Sequence, residues 1–390
     1  MSNLPLTGVV VVDLTQVYSG PYATFLLAEA GATVIKVEPP EGERLRLAEG
    51  ALGAPFATFN GGKRSVSIDL ATHEGKADLA ELLKGADVLV ENFRPGVLER
   101  LGFGDARLRE INRELIRASL SGFGSDGPYQ GYAALDIVVQ AISGVIATTG
   151  FADQPPVKAG AALADILGGT HLYGAIVTAL LARERYGQAE HVETSMLAAT
   201  LPALASSFGP ATGAPDDAIL RTGNRHGGGR VCPYNVYPAA DGHAAIICTT
   251  DRHWRTLAER LGLTDLLADE ELATMKGRVA RIDELDKRIA SITRTMDRKE
   301  LFELLAGGGV PCGPVQSLPE SLRDRHLLET GAAFPFEHAE YGPLTLLRGA
   351  IRFCGSERPP YRPSPALGEA NDEFLASRSA PAAMANHGTT

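Results

Sequence analysis

Residues 8–38 read GVVVVDLTQVYSGPYATFLLAEAGATVIKVE, and the order of patterns within them decides the fold. Val9–Leu14 is a β-branched run, Gly20–Ala30 suits a helix, and Thr33–Val37 is β-branched again. This is the strand–helix–strand rhythm of a parallel sheet. Working outward, strands are expected at Ser65–Leu70, Val88–Glu91 and Ile116–Ser121, with helices at His73–Lys84 and near Asp105–Asn112. Two further helical segments, Asp136–Thr149 and Asp165–Tyr186, lead to a strand at His191–Thr194 and a helix from Met196. Together they describe a large doubly wound α/β domain over residues 1–200.

The next stretch, 201–224, is rich in Ala, Gly, Pro and Ser without a sustained amphipathic period, as an interdomain linker is. Beyond it, 225–325 reads as a smaller α/β domain, with strands at Tyr234–Tyr237 and Ala244–Thr249 and helices at Arg252–Leu261, Arg278–Thr293 and Arg298–Ala306. A chain of 390 residues exceeds what one core usually serves, so two domains agree with its length. The Ala-rich, polar tail 376–390 offers little to bury and is expected to be disordered.

Composition narrows the function. Hydrophobic residues make up 44% and charged residues 22%, a globular mixture. The net charge of −10, with no dense basic run, argues against nucleic acid or an anionic membrane as partner. Four cysteines, Cys232, Cys248, Cys312 and Cys354, form no CxxC pair and no zinc-ligand spacing, so they read as reduced thiols and no metal is expected. No apolar run is read as a membrane span and no leader pattern opens the chain, which points to the cytoplasm.

Several local patterns bear on chemistry. Gly122–Gly127 fits GxGxxG, but Pro128 and a loop-like stretch follow where a dinucleotide site needs a helix N-terminus, so it reads as a turn. Gly61-Gly62-Lys63-Arg64 lacks the first glycine and the hydroxyl residue of a Walker motif; it is either a solvated turn or a grip for a nucleotide phosphate. Neither a GxSxG elbow nor an HExxH pair occurs. Asp165 opens a long apolar helix, whose terminal field favours an ionised carboxylate. It is either the N-cap of that helix or a functional acid, and spacing does not separate the two. Gly227, Gly228 and Gly229 make a flexible segment that is a linker or something more.

Taken in order, these segments resemble the class III coenzyme A transferases, the family of formyl-CoA:oxalate and carnitine CoA-transferases (the CaiB/BaiF family), which also includes α-methylacyl-CoA racemases. The matching stretches are Val12–Thr15 with Ser19–Pro21, Gly31–Pro39, Gly62–Ser65, Asp87–Gly96, Ser121–Gly124 with Gly127-Pro128, Asp136 with Gln140–Gly144, Ala164-Asp165, Gly223–His226 and Pro311–Val315. The likeness runs from Leu6 to Leu375.

The resemblance implies a large Rossmann-like domain completed by a returning segment, 326–375, a small domain, and two chains interlocked in a homodimer. It places the catalytic aspartate on Asp165, which would pass through anhydride and aspartyl-CoA thioester intermediates. Gly227, Gly228 and Gly229 would close over that aspartate. CoA would be held by Val17, Lys63, Arg64, Asn92, Phe93, Arg94 and Arg100, as a substrate and not as a permanently bound cofactor. The acceptor would be a small carboxylic acid, with a short dicarboxylate and a succinyl-CoA donor as the first choice. Tyr18 and Pro39 depart from the formyl-CoA transferase pattern, which weighs against oxalate or formate. Leu135 stands where the racemases carry a histidine, which weighs against racemisation. The alternatives are a racemase or epimerase of the same fold and a non-catalytic CoA-binding protein.

Overall fold

Strands covered by helices on both faces are buried along their whole length. Thr33–Glu38 has five buried residues after one exposed one, and Val88–Glu91 is buried throughout. In the computed structural model, which describes residues 4–375, these strands lie inside a six-stranded parallel sheet. Its members are β1 (Val10–Asp13), β2 (Thr33–Glu38), β3 (Arg64–Ser67), β4 (Val88–Glu91), β5 (Ile116–Ser121) and β6 (His191–Ser195). They lie in the order β3-β2-β1-β4-β5-β6. Strand order reverses between β1 and β4. The loops leaving the carboxyl ends of two such strands part there, which is where open α/β sheets hold ligands.

Alternate residues of the central strands feed two cores. Val11, Val34, Val88 and Val90 pack with Leu27 of the helix Ser19–Glu29 and with Leu172 and Ile176 of the long helix Leu163–Tyr186. Val12, Ile35, Val37 and Leu89 pack with Leu79 and Leu83 of the helix His73–Lys84 on the other face. With 24 residues and an 18-residue stretch of mean hydropathy 1.3, the long helix is long and apolar enough to cross a membrane, contrary to the sequence expectation. Ala164, Gly168, Leu172, Ile176 and Ala179, however, lie buried along one face of it, as in a core helix. Gly168 and Gly169 set its closeness to its neighbours: a Cβ on Gly169 would fall 2.4 Å from the carbonyl oxygen of Ser19.

The chain divides into two compact units. The first holds the residues up to Val139, Ala161–Thr200 and the segment from Leu322; the second holds Gln140–Gly160 and Leu201–Ser321. Gln140–Gly160 thus leaves the large unit to which the sequence reading assigned all of 1–200. The helix expected over Asp136–Thr149 is two, Asp136–Ser143 and Val145–Thr148, broken at Gly144 with φ 92°. The second unit is built on β7 (Tyr234–Ala239), β8 (Gly242–Ile247) and β9 (Cys312–Pro314), all antiparallel. Trp254, Leu257, Leu285, Ile289 and Leu301 cover them from surrounding helices. The expected linker contains a helix of its own, Ala205–Ala211.

In the first unit, the returning segment forms an unexpected hairpin of β10 (Ala333–His338) and β11 (Gly342–Leu347), whose Leu344 and Leu346 pack on Phe56 and Ala57. The chain then runs along the open edge of β3. Ala370 N donates to Ser65 O, and Asn371 Oδ1 accepts from Ser67 N, each at 2.9 Å. An edge covered in this way cannot pair with another strand. The tail 376–390 lies outside the described residues.

Candidate active site

Between β1 and its following helix, five residues must turn from strand to helix, and side chains hold the backbone polar atoms of Thr15 and Gln16 in that turn. Asp13 Oδ1 accepts from Thr15 N at 2.9 Å and from Thr15 Oγ1 at 2.5 Å. Asn92, just beyond β4, accepts from Gln16 N and donates to Gln16 O, both at 2.9 Å. Next comes Val17 with φ 69°, which among the described residues is the one non-glycine residue in left-handed backbone. For a β-branched side chain, that conformation costs about 1–3 kcal/mol and persists only where the surroundings enforce it. The Asn92 bonds bring the loop of Val17 against Asn92-Phe93-Arg94 at the sheet's reversal point. Phe93 is half-buried, while Arg94 and Arg100 are exposed.

Two of the residues expected to meet CoA turn out to be otherwise engaged. Lys63 is buried, its side chain 0% exposed, and its ammonium lies 3.0 Å from Asp13 Oδ2. A cation so enclosed holds the fold and does not reach a phosphate, which corrects the sequence expectation for Lys63. Burial pushes its pKa down to about 8, against the pull of Asp13. Burial also pushes Asp13 up, but the Lys63 and Lys36 ammoniums, with the hydrogen bonds from Thr15 and Thr24, outweigh it and hold that carboxyl below its usual range. Arg64 pairs with Glu369 and Glu373 of the returning segment and remains 37% exposed.

Asp165 is not the N-cap. The long helix begins at Leu163 behind Ala162, which offers no side-chain cap, so Asp165 is the third helical residue. The capping carboxylate is Asp136, whose Oδ1 accepts from Ala164 N at 2.8 Å and from Asp165 N at 3.3 Å. Released from capping, the Asp165 carboxyl takes a hydrogen bond from the Ser19 side chain, at the start of the first helix. Burial, then the charge of Asp136, push its pKa from 3.8 to about 6, although the Ser19 bond pulls the other way. The carboxylate thus sits above its ordinary value but, at about 6, is still mostly ionised at neutral pH, as the sequence reading expected. Asp136 and Ser19 belonged to the recognised segments, but their roles were missed. Partners separated by 29 and 146 positions leave no periodic trace.

In the second unit, Gly227, Gly228 and Gly229 form a packed turn rather than a slack linker. Gly228 N donates to His226 Nδ1 at 3.0 Å, and Gly229 N to His226 O at 2.8 Å. A Cβ on Gly227 would lie 2.9 Å from Ser207 Oγ, and Gly229 has φ 59°. Two of the three amides are thus engaged within the turn. Among the described residues, no cluster of His, Cys, Asp or Glu is arranged to hold a metal.

The chemistry available in the first unit is that of a half-buried, hydrogen-bonded carboxylate of raised pKa, bonded to the helix start that follows the strained loop of Val17. Comparison with known proteins gives it a context. The sequence pattern of CoA-transferase family III matches residues 6–371. A formyl-CoA:oxalate CoA-transferase of Streptomyces coelicolor is 34% identical, over 96% of this chain and 95% of its own. A succinate–glutarate CoA-transferase of Agrobacterium fabrum is 35% identical, over 95% of each chain. The crystal structure of a CaiB/BaiF family protein from Brucella suis superposes with a TM-score of 0.82 at 32% identity, covering 96% of this chain and 99% of that one.

Proposed function

The chain belongs to CoA-transferase family III, and from that membership we propose that Asp165 carries the transfer as a covalent relay. The enzyme is a CoA-transferase acting on CoA thioesters and carboxylic acids. The observation that carries the assignment is the Asp165 carboxyl, free of capping duty, bonded to Ser19 and raised to about 6. At pH 7 roughly nine in ten such groups are ionised, so no general base is required.

One Asp165 oxygen attacks the donor thioester carbon, and the C–S bond breaks to release CoA thiolate and leave a mixed anhydride. The thiolate attacks the aspartyl carbonyl and frees the donor acid, forming an aspartyl-CoA thioester. The acceptor carboxylate attacks that same carbonyl and expels the thiolate, giving a second anhydride. The thiolate then attacks the acceptor's acyl carbon, which completes the new thioester and regenerates Asp165. Each tetrahedral intermediate carries an oxyanion, which backbone amides stabilise; one lost donor raises the barrier by roughly 3–4 kcal/mol.

Val17, Phe93, Arg94 and Arg100 hold the nucleotide in this reading, with Arg64 at its margin and Asn92 shaping the loop. The turn Gly227–Gly229 closes over Asp165 during turnover and excludes water. The working unit is an interlocked homodimer, which suits the apolar side chains left exposed at Leu135, Ile137, Val138 and Ile142. All four cysteines are free, as suits a reducing cytoplasm.

The substrates are succinyl-CoA or another short acyl-CoA and a short dicarboxylate. Support comes from the relative named for succinate and glutarate, while Tyr18 and Pro39 weigh against oxalate or formate. Racemisation is disfavoured because Leu135, 69% exposed, supplies no second acid or base beside Asp136.

Trapping tests the proposal. Incubation with succinyl-CoA followed by hydroxylamine should convert Asp165 to a hydroxamate, read by peptide mass spectrometry. Asp165→Ala should lower transfer by at least about a thousandfold with the fold retained. Transfer that persists in that variant would overturn the assignment.

A further inference from the structure

The first unit contains a buried ionic network that the transfer chemistry does not use. Lys63 Nζ lies 3.0 Å from Asp13 Oδ2, 2.8 Å from Thr24 Oγ1, 2.9 Å from Asn60 Oδ1 and 3.2 Å from Pro21 O. Thr24 Oγ1 also donates to Asp13 Oδ2 at 2.7 Å. Lys36 Nζ, equally buried, donates to Thr15 O at 3.0 Å and to Glu43 at 3.2 Å. The Lys36–Glu43 and Arg46–Glu38 pairs continue the network inward. Its cations and carboxylates balance, three of each, as a buried cluster requires.

The atoms this network grips are informative. Thr15 N, Oγ1 and O form one end of the loop after β1, and Pro21 O and Thr24 Oγ1 form the other, in the first turns of the helix. Between these two anchors lie Val17, in left-handed backbone, and Ser19, whose hydroxyl meets Asp165. The close approach of the two ends leaves no slack: a Cβ on Gly20 would fall 2.4 Å from Thr15 Cβ.

We propose that Lys63, fixed by Asp13, is a positioning residue for the CoA-binding loop, holding Val17 in its left-handed conformation without touching the substrate. The proposal rests on the reading of this loop as part of the CoA site. Loop preorganisation then contributes directly to affinity, because an unheld loop must be reordered each time a nucleotide binds. A glycine adopts the same backbone without enforcement.

The test is a coupling measurement on full-length enzyme, with CoA affinity read by calorimetry. The paired variant Asp13→Asn/Lys63→Met removes both charges together, so no lone ion is left buried. It should weaken CoA about tenfold, a change of about 1.4 kcal/mol, with KM for acyl-CoA rising more than kcat falls. In a Val17→Gly background, the same pair should weaken CoA less than about threefold, because the glycine needs no enforcement. Equal losses in the two backgrounds would overturn the proposal, as would unchanged affinity in a folded pair variant. Should the pair fail to fold, Thr24→Val, which removes one hydroxyl from both Asp13 and Lys63, should show the same dependence on residue 17 at smaller size. Absence of any CoA binding by the unaltered enzyme would instead overturn the reading of the site itself.

Discussion

Asp165 is an acid held in an environment that opposes its charge, and its titration has consequences for both rate and stability. Because its pKa is raised to about 6, the proposed relay requires kcat/KM for the donor thioester to fall about tenfold per pH unit below that value, as Asp165 protonates. Asp136→Asn removes the neighbouring charge while keeping an oxygen for the helix amides, so the acid limb of the pH–rate profile should move to lower pH. An unmoved limb would show that Asp136 acts only as a cap. For stability the sign runs from the raised folded value: the protonated form is the one the fold favours. The contribution is complete below 3.8 and is lost as pH rises through about 6. The two-unit shift amounts to about 3 kcal/mol at most. Asp165→Asn should therefore unfold at a higher temperature than the unaltered chain at pH 8, and the difference should vanish near pH 4. Calorimetric scans at the two pH values check this.

At the scale of elements, the site depends on two helices meeting closely enough for Ser19 to reach Asp165. The long helix can approach because its second turn presents Gly168 and Gly169 rather than larger residues. Gly169→Ala should push the helices apart at Ser19, destabilising the protein by about 1–3 kcal/mol and lowering turnover by weakening the Ser19 bond. Denaturant unfolding and a kcat measurement on the same variant separate these two effects. The central strands β1, β2 and β4 were legible in the sequence because burial on both faces favours apolar, β-branched runs. The helix over Asp136–Thr149 was legible as a helix, but its break at Gly144 was not, since a single glycine inside an apolar run also fits a continuous helix. The hairpin Ala333–His338 with Gly342–Leu347 carries mixed, proline-bearing strands, and its partners Phe56 and Ala57 lie almost three hundred positions earlier.

Over the whole molecule, the returning segment closes what the first two hundred residues leave open. A chain ended at residue 364 would lose the bonds from Ala370 and Asn371 to β3 and expose its edge. Such a variant should aggregate at concentrations where the full chain does not, as light scattering would show. The amino-acid order by itself determined the α/β class, the parallel strands of the first unit and the family resemblance. Those features are written in local periodicity and in motifs short enough to recognise. Tertiary structure alone decided that Lys63 faces inward, that Asp136 and not Asp165 caps the long helix, and that Gln140–Gly160 belongs with the second unit. In each case the deciding partner lies far away along the chain, and whether a charge ends in solvent or in a buried pair depends on what packs around it.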